Sequence, residues 1–170
     1  MKLNEVKIGE TFKIAGTEFI KFTDGEEVIA VAKNILFNSS FGNNANLAES
    51  KIKTRLESEF LPKIEAEIGA ENILEFETDM TALDGTNPFA NFRSKVSLVT
   101  LDFYRQHREI FKAHKLDCWW WLATPDSETY KNIVLCVSPP GDVSDCCYDI
   151  GGGVRPFLRF VSSICVSCEE

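Results

Sequence analysis

The sequence GGGVRPFL, residues 151–158, places three glycines directly before an Arg-Pro pair. The glycines match neither GxGxxG nor a Walker loop, and a strand rather than a helix follows them, so no helix N-terminus faces a phosphate there. We expect the glycines to allow either positive φ or close backbone approach. Pro156 holds Arg155 extended. We expect Arg155 to bond backbone carbonyls or a carboxylate, with anion binding as the alternative.

A second unusual stretch is CWWWLAT, residues 118–124. Successive side chains of a strand face opposite sides, so Trp119 and Trp121 are predicted to share one face and Trp120 to occupy the other. Each enclosed aromatic side chain buries roughly 150–250 Å². We therefore expect this strand to be covered on both faces and to form the core, with a sugar-stacking platform as the alternative.

The remaining patterns predict a single α+β domain that comprises all 170 residues. Apolar residues at four-residue spacing in residues 48–69 are typical of an amphipathic helix, which Pro62 is expected to kink or split. A second helix is predicted from Leu101 to about Ala113, with Thr100 as its cap. Further strands are predicted at residues 6–14, 17–22, 27–32, 133–138 and 154–163.

Composition limits the possible functions. The chain has 18 basic and 26 acidic residues and a net charge of −8, and it shows no basic patch, so no nucleic-acid partner is expected. No apolar run approaches the roughly 20 residues of a membrane span. The start MKLNEVKIGE lacks the apolar core of a signal peptide, so we expect a protein kept in the cytoplasm or packaged into a particle assembled there. The six cysteines are then expected to be free thiols.

The motifs WWWLATP, residues 119–125, and GVRPFL, residues 153–158, together resemble the WWLRSP and GVRPAL signatures of a bacterial and phage domain family of unknown function, number 6273 in its series. The similarity extends to SKIKTRLESEFL and to SLVTLDFYRQHREIF, so it covers most of the chain from about residue 15 onward. The motif residues that we expect to be structural are Trp119, Trp120, Trp121, Gly153, Arg155 and Pro156.

This family resembles C-type-lectin-like domains, in which small, mostly antiparallel sheets and two helices support an irregular ligand-facing region. The resemblance therefore implies a C-type-lectin-like fold and a non-enzymatic binding function, on a phage particle or in the cytoplasm. Ala123 and Thr124 replace the Arg-Ser pair of the family motif. The Glu-Pro-Asn and Trp-Asn-Asp motifs of sugar-binding C-type lectins are absent, so a calcium-dependent sugar site of that kind is not expected.

Residues 139–150, PPGDVSDCCYDI, are mostly small, acidic, thiol-bearing or phenolic. Few such residues fill a core, so we expect a surface that presents them to a protein or a surface glycan; an ordinary hairpin loop is the alternative. Some phage and bacterial C-type-lectin-like receptors are diversified by a retroelement that rewrites adenine-bearing codons, and altered Asn codons yield residues of these types. The predicted ligand-binding residues are Asp142, Ser144, Asp145, Cys146, Cys147, Tyr148 and Asp149.

Cysteine chemistry is the competing hypothesis. Cys165 and Cys168 form a CxxC pair, and Cys146 with Cys147 would complete four thiolates in a zinc or redox domain. A catalytic thiol would need one of the two histidines as its base, and no protease or transferase signature surrounds the cysteines. We therefore predict no enzyme, no cofactor and no bound metal.

Overall fold

The computed structural model describes residues 1–168 and is a mixed α+β structure, as the sequence predicts. The α helices are α1 (Lys51–Arg55), α2 (Leu61–Ile68), α3 (Leu101–Gln106) and α4 (Arg108–Ala113), and a π-helical turn (Leu56–Phe60) joins α1 to α2. The strands are β1 (Thr11–Ile14), β2 (Thr17–Lys21), β3 (Glu27–Ala32), β4 (Phe37–Ser39), β5 (Phe76–Thr78), β6 (Phe92–Ser94), β7 (Val96–Ser97), β8 (Trp120–Pro125), β9 (Ile133–Val137), β10 (Val143–Cys147), β11 (Gly152–Val154) and β12 (Phe157–Val161).

Two five-stranded sheets form the body of the structure. The first sheet has the strand order β1-β2-β3-β12-β7, and the second has the order β10-β9-β8-β11-β4. The described strand pairs are antiparallel, except that β11 runs parallel to β8 with Gly153 paired to Trp120. The prediction of small, mostly antiparallel sheets is confirmed.

The GGGVRPFL stretch connects these two sheets. The sequence predicts one final strand at residues 154–163, but the structure has two, because β11 ends at Val154 in the second sheet and β12 begins at Phe157 in the first. Arg155 and Pro156 form the crossing between them. Proline has no N–H to contribute to a continuous ladder, which favours a break at this point.

Close approach, rather than positive φ, explains the glycines of β11. A Cβ at Gly152 would lie 2.7 Å from Trp121 Nε1, and a Cβ at Gly153 would lie 2.5 Å from Ile35 Cδ1 and 2.7 Å from the Trp119 carbonyl oxygen. Neither glycine has a positive φ. Only a residue without a side chain lets β11 lie this close to the tryptophan strand.

Both helical segments contain an irregular turn. As predicted, the first helix is split near Pro62: the π-helical turn separates α1 from α2, and Pro62 occupies the first turn of α2. A proline is tolerated in a first turn because its missing N–H is not needed there. The second helix is interrupted at His107 (φ −117°, ψ 25°). As predicted, Thr100 caps its start, with its hydroxyl accepting a hydrogen bond from the Phe103 N–H at 3.2 Å.

Two hydrophobic clusters lie on opposite faces of β8. Trp121 and Ala123 belong to one cluster, and Trp120 and Leu122 belong to the other, as the two-residue period of a strand requires. The tryptophan strand is therefore buried on both faces, as predicted. Trp119 is 44% exposed, so the expectation that it joins this core is wrong. The strand begins only at the next residue.

Candidate ligand-binding surface

Residues 139–150 contain an edge strand rather than an irregular region. β10 pairs antiparallel with β9, from Val143 opposite Val137 to Cys147 opposite Ile133. β10 is the last strand of the second sheet, so no strand covers its outer edge among the described residues. The sequence pattern missed this strand because Asp is depleted in strands and Ser gives no strand signal.

The turn that joins β9 to β10 is fixed by hydrogen bonds. The Ser138 N–H donates to the Asp142 carbonyl oxygen at 2.9 Å, and the Asp142 N–H donates to Ser138 Oγ at 3.2 Å. Gly141 has a φ of 95°, which glycine adopts without strain. The Gly141 carbonyl accepts hydrogen bonds from the Tyr104 hydroxyl and from Arg108 Nη1, which tie the turn to α3 and α4.

The other end of β10 is also anchored. The Tyr148 N–H donates to the Asn132 carbonyl at 2.9 Å, and the Phe41 N–H donates to the Tyr148 carbonyl at 2.7 Å. The Tyr148 ring is half-buried against the core. The hairpin backbone is therefore held at both ends and along β9.

The predicted ligand-binding residues divide into two groups. The exposed members are Asp142, Asp145 and Asp149. The half-buried members are Ser144, Cys146, Cys147 and Tyr148. Within β10 the alternation of strand side chains places Asp145 and the exposed Val143 on one face, and Ser144 and Cys146 on the other. The acidic members are thus the solvent-exposed ones among the seven.

A groove with a volume of about 190 Å³ lies beside the hairpin. Trp119 and Ile150 line it and are 44% and 54% exposed, so we call it the Trp119–Ile150 groove. The groove brings together the start of the tryptophan strand and the end of residues 139–150. Its other lining residues are Trp120, Trp121, Cys136, Cys146, Gly151 and Gly152.

Arg155 lies at the crossing between the two sheets and is only 1% exposed. Its Nε donates to the Ala32 carbonyl oxygen at 2.9 Å, and its Nη2 donates to the Lys33 carbonyl oxygen at 3.1 Å. Burial lowers the pKa of its guanidinium to about 10, so the group stays charged at neutral pH. Arg155 thus bonds backbone carbonyls, and no carboxylate pairs with it in the described part of the chain.

The motifs that build this surface lie inside a recognised family match. The family model for a domain of unknown function, DUF6273, matches residues 25–161. The chain belongs to the DUF6273 family. No curated protein and no solved structure matches it. Within residues 1–168 of this DUF6273 chain, no helix is both long enough and apolar enough to cross a membrane.

The cysteines of the DUF6273 chain do not gather into a metal site. Residues 1–168 contain no group of three or more His, Cys, Asp or Glu side chains placed to hold an ion, so the hypothesis of a four-thiolate zinc site is wrong. Cys146 Sγ instead lies 3.1 Å from Cys136 Sγ, whereas Cys168 Sγ lies 3.5 Å from Met1 Sδ. Burial, together with the neighbouring Cys146, raises the pKa of the Cys136 thiol. The sequence spacing gave no sign of the pair formed by Cys136 and Cys146.

The two histidines make contacts of their own. The His107 ring lies 4.3 Å from the Phe103 ring and 5.5 Å from the Phe22 ring, centroid to centroid, and burial lowers its pKa. His114 Nε2 lies 2.8 Å from the Gly9 carbonyl oxygen. Neither histidine hydrogen-bonds a cysteine among the described residues, so this region offers no thiol–imidazole pair.

Proposed function

We propose that this DUF6273 chain is a non-enzymatic ligand-binding domain whose binding surface combines the β9–β10 hairpin with the Trp119–Ile150 groove. One observation carries the proposal: the uncovered edge strand β10 places Cys146 in a groove with the exposed Trp119 on one face and the exposed Asp145 on the other face, so a partner that docks at this edge meets both. Large exposed aromatic side chains next to concave surfaces are typical of binding sites.

The hairpin supports the proposal because its framework and its exposed side chains are separable. The β9–β10 ladder consists of backbone hydrogen bonds, which do not depend on side-chain identity. Leu135, the register partner of Asp145, is only 2% exposed. The buried contacts thus come mainly from β9, and substitutions at the exposed β10 positions change the surface at little cost to the fold.

The chemistry of this surface favours a partner with both apolar area and positive or hydrogen-bond-donating groups. Trp119 supplies a large amphipathic ring, suited to packing on a protein or stacking on a sugar. Asp142, Asp145 and Asp149 supply acceptors with negative charge. The uncovered edge of β10 also offers backbone groups to an added strand. The partner is a protein or a surface glycan.

A binding screen tests this function. The full chain, presented as multivalent beads, is probed against a glycan array and against bacterial surface proteins, and each hit is remeasured with Trp119→Ala. Asp142→Ala/Asp145→Ala is compared with Glu26→Ala/Glu77→Ala, which removes two exposed acidic residues outside the surface. The proposal is supported if Trp119→Ala and Asp142→Ala/Asp145→Ala lose binding and the control double variant keeps it. Retention by all variants, or no ligand in either panel, contradicts it.

The finer version of the proposal is a C-type-lectin-like receptor of bacterial or phage origin that a retroelement diversifies at residues 139–150. It rests on the motif resemblance and on the residue types of this stretch, and the anchored hairpin is compatible with it. Deep sequencing of the locus in a population that carries it provides the test. Substitutions clustered at residues 139–150, with Trp120, Trp121, Gly153 and Arg155 constant, support diversification. Even scatter along the gene rejects it.

A redox role is the second candidate, because one pair of thiols is close. Cys136 Sγ and Cys146 Sγ lie 3.1 Å apart, beyond the S–S bond length of about 2.05 Å but near enough to bond after a small shift. The raised pKa of Cys136 opposes this role, because a thiolate is the reactive species. Mass spectrometry after incubation with oxidised glutathione decides: a Cys136–Cys146 disulfide supports the candidate, and free thiols reject it.

A further inference from the structure

A second pocket, of about 190 Å³, lies between α4 and the turn at the base of the β9–β10 hairpin. It shares only Trp120 with the Trp119–Ile150 groove, so the two are distinct concavities. Tyr104, Phe111 and Trp120 supply its aromatic wall, and Pro139, Pro140 and Gly141 form the side that belongs to the hairpin turn.

The charge of this pocket is opposite to that of the whole chain. Its charged lining comprises four basic side chains, Arg108, Lys112, Lys115 and Arg155, and one acidic side chain, Glu109. The chain as a whole carries a net charge of −8. Lys112 and Lys115 are exposed and make no ion pair among the described residues. A cationic concavity in an acidic protein concentrates small anions against the surrounding field.

The deepest of these cations is Arg155. Two of its three guanidinium nitrogens, Nε and Nη2, donate to backbone carbonyls, whereas Nη1 makes no hydrogen bond within the described part of the chain and is not fully enclosed. Its guanidinium carbon lies 4.6 Å from the Trp120 ring centroid and 5.5 Å from the Phe111 ring centroid, so the group sits among the aromatic lining of the pocket. A largely buried arginine that has no carboxylate partner and one unpaired nitrogen at a pocket can donate a charge-assisted hydrogen bond to an anion there.

We infer that this pocket binds a phosphate group, with Arg155 Nη1 as the innermost donor and the side chains of Arg108, Lys112 and Lys115 at its mouth. Several cations against one carboxylate favour a dianion over a carboxylate monoanion. The pocket volume exceeds that of a single phosphate, so it has room for part of a small phosphorylated molecule. This inference does not depend on the proposed binding surface, because it uses a different concavity.

The experiment titrates the full chain with inorganic phosphate, ribose 5-phosphate and acetate, followed by calorimetry and by the fluorescence of the tryptophans, one of which lines the pocket. We expect saturable phosphate binding in the millimolar range or tighter and much weaker acetate binding. Tighter binding of ribose 5-phosphate identifies a phosphorylated small molecule as the ligand class, and equal binding identifies free phosphate. The absence of saturable phosphate binding up to about 10 mM, or equal binding of acetate, overturns the inference.

Paired variants locate the site. Lys112→Gln/Lys115→Gln is expected to weaken phosphate binding about ten-fold, since each partly solvated charge contributes modestly. Lys51→Gln/Lys131→Gln removes the same charge from exposed lysines outside the pocket and is expected to change affinity less than about two-fold. Equal weakening by both double variants overturns the inference. Arg155→Lys, with folding checked by circular dichroism, is expected to abolish binding, and the lysine pairs remain decisive if it does not fold.

Discussion

The guanidinium carbon of Arg155 lies 4.6 Å from the centroid of the Trp120 ring. This contact joins the two sequence motifs of the family. Trp120, from the tryptophan motif, is the first residue of β8, and Arg155, from the GVRPFL motif, lies between β11 of the second sheet and β12 of the first. The same guanidinium donates to carbonyls at the end of β3 and just beyond it. One buried cation thus ties together the tryptophan strand, the crossing and the first sheet.

Arg155→Met is therefore expected to lower the free energy of unfolding by about 2–4 kcal/mol, because the carbonyls of Ala32 and Lys33 lose their charged donor in a buried site. Urea unfolding measures the loss. Arg105→Met is the control, because Arg105 is exposed and its pairing with Asp102 is a surface ion pair. Its cost is expected to stay below about 0.5 kcal/mol. Equal stability of the two variants would show that the Arg155 bonds are not needed for the fold.

Gly153→Ala is expected to cost about 1–3 kcal/mol, whereas Gly151→Ala is expected to be nearly neutral. A Cβ at Gly153 would lie 2.7 Å from the Trp119 carbonyl oxygen, a backbone atom that cannot move without shifting β8. A Cβ at Gly151 meets no atom within 4 Å. Thermal unfolding of both variants provides the comparison. A stable Gly153→Ala protein would refute the close-approach explanation.

The sequence predicted much of the scaffold because its signals are local. Alternation located β2 and β3, apolar spacing located both helical segments, and the tryptophan run located the central strand. The crossing at Arg155 and Pro156 was not predicted, because membership of a sheet depends on distant partners such as β4 and β7. A single apolar run gives no sign that its two halves pair with different sheets.

The candidate surface was harder to predict than the scaffold. The alternation of the tryptophan run predicts a buried Trp119, although the charged Asp117 two residues before it is typical of a segment at the surface. β10 lacks the alternation of apolar and polar residues that is typical of a strand. It is a strand because its backbone pairs with β9, and its own side chains do not need to be apolar. Cys136 and Cys146 meet only because of the hairpin register, which spacing alone does not define.

Stability is expected to fall at high pH because of Cys136. Burial and Cys146 raise the pKa of this thiol above the value of about 8.5 that it has in the unfolded chain. Above that pH the unfolded chain releases a proton that the folded state retains, so the free energy of unfolding falls by up to about 1.4 kcal/mol per pH unit. Below the pKa of the unfolded chain the thiol is protonated in both states, so the stability shows no loss from this group.

The test is urea unfolding under reducing conditions from about pH 7 to about pH 10. Cys136→Ala removes the titrating thiol. The variant is expected to be less stable than the parent protein at neutral pH, and this difference in the free energy of unfolding is expected to shrink as the pH rises. Cys118→Ala, at an exposed position, is expected to follow the parent throughout. Parallel curves for the parent and Cys136→Ala would contradict the assigned role of Cys136.

Substitutions at the register partners Asp145 and Leu135 are expected to change the free energy of unfolding by very different amounts. Asp145 is exposed on β10, whereas its register partner Leu135 is 2% exposed and packs in the cluster that contains Trp120. Asp145→Ala is expected to change stability by less than about 0.5 kcal/mol, and Leu135→Ala to cost about 2–5 kcal/mol through the cavity it leaves. Urea unfolding and ligand binding are measured together. If the binding surface is separable from the scaffold, Asp145→Ala changes the affinity for the ligand and leaves the free energy of unfolding unchanged. A large loss of stability in Asp145→Ala would contradict this and show that the β10 side chain is needed for the fold.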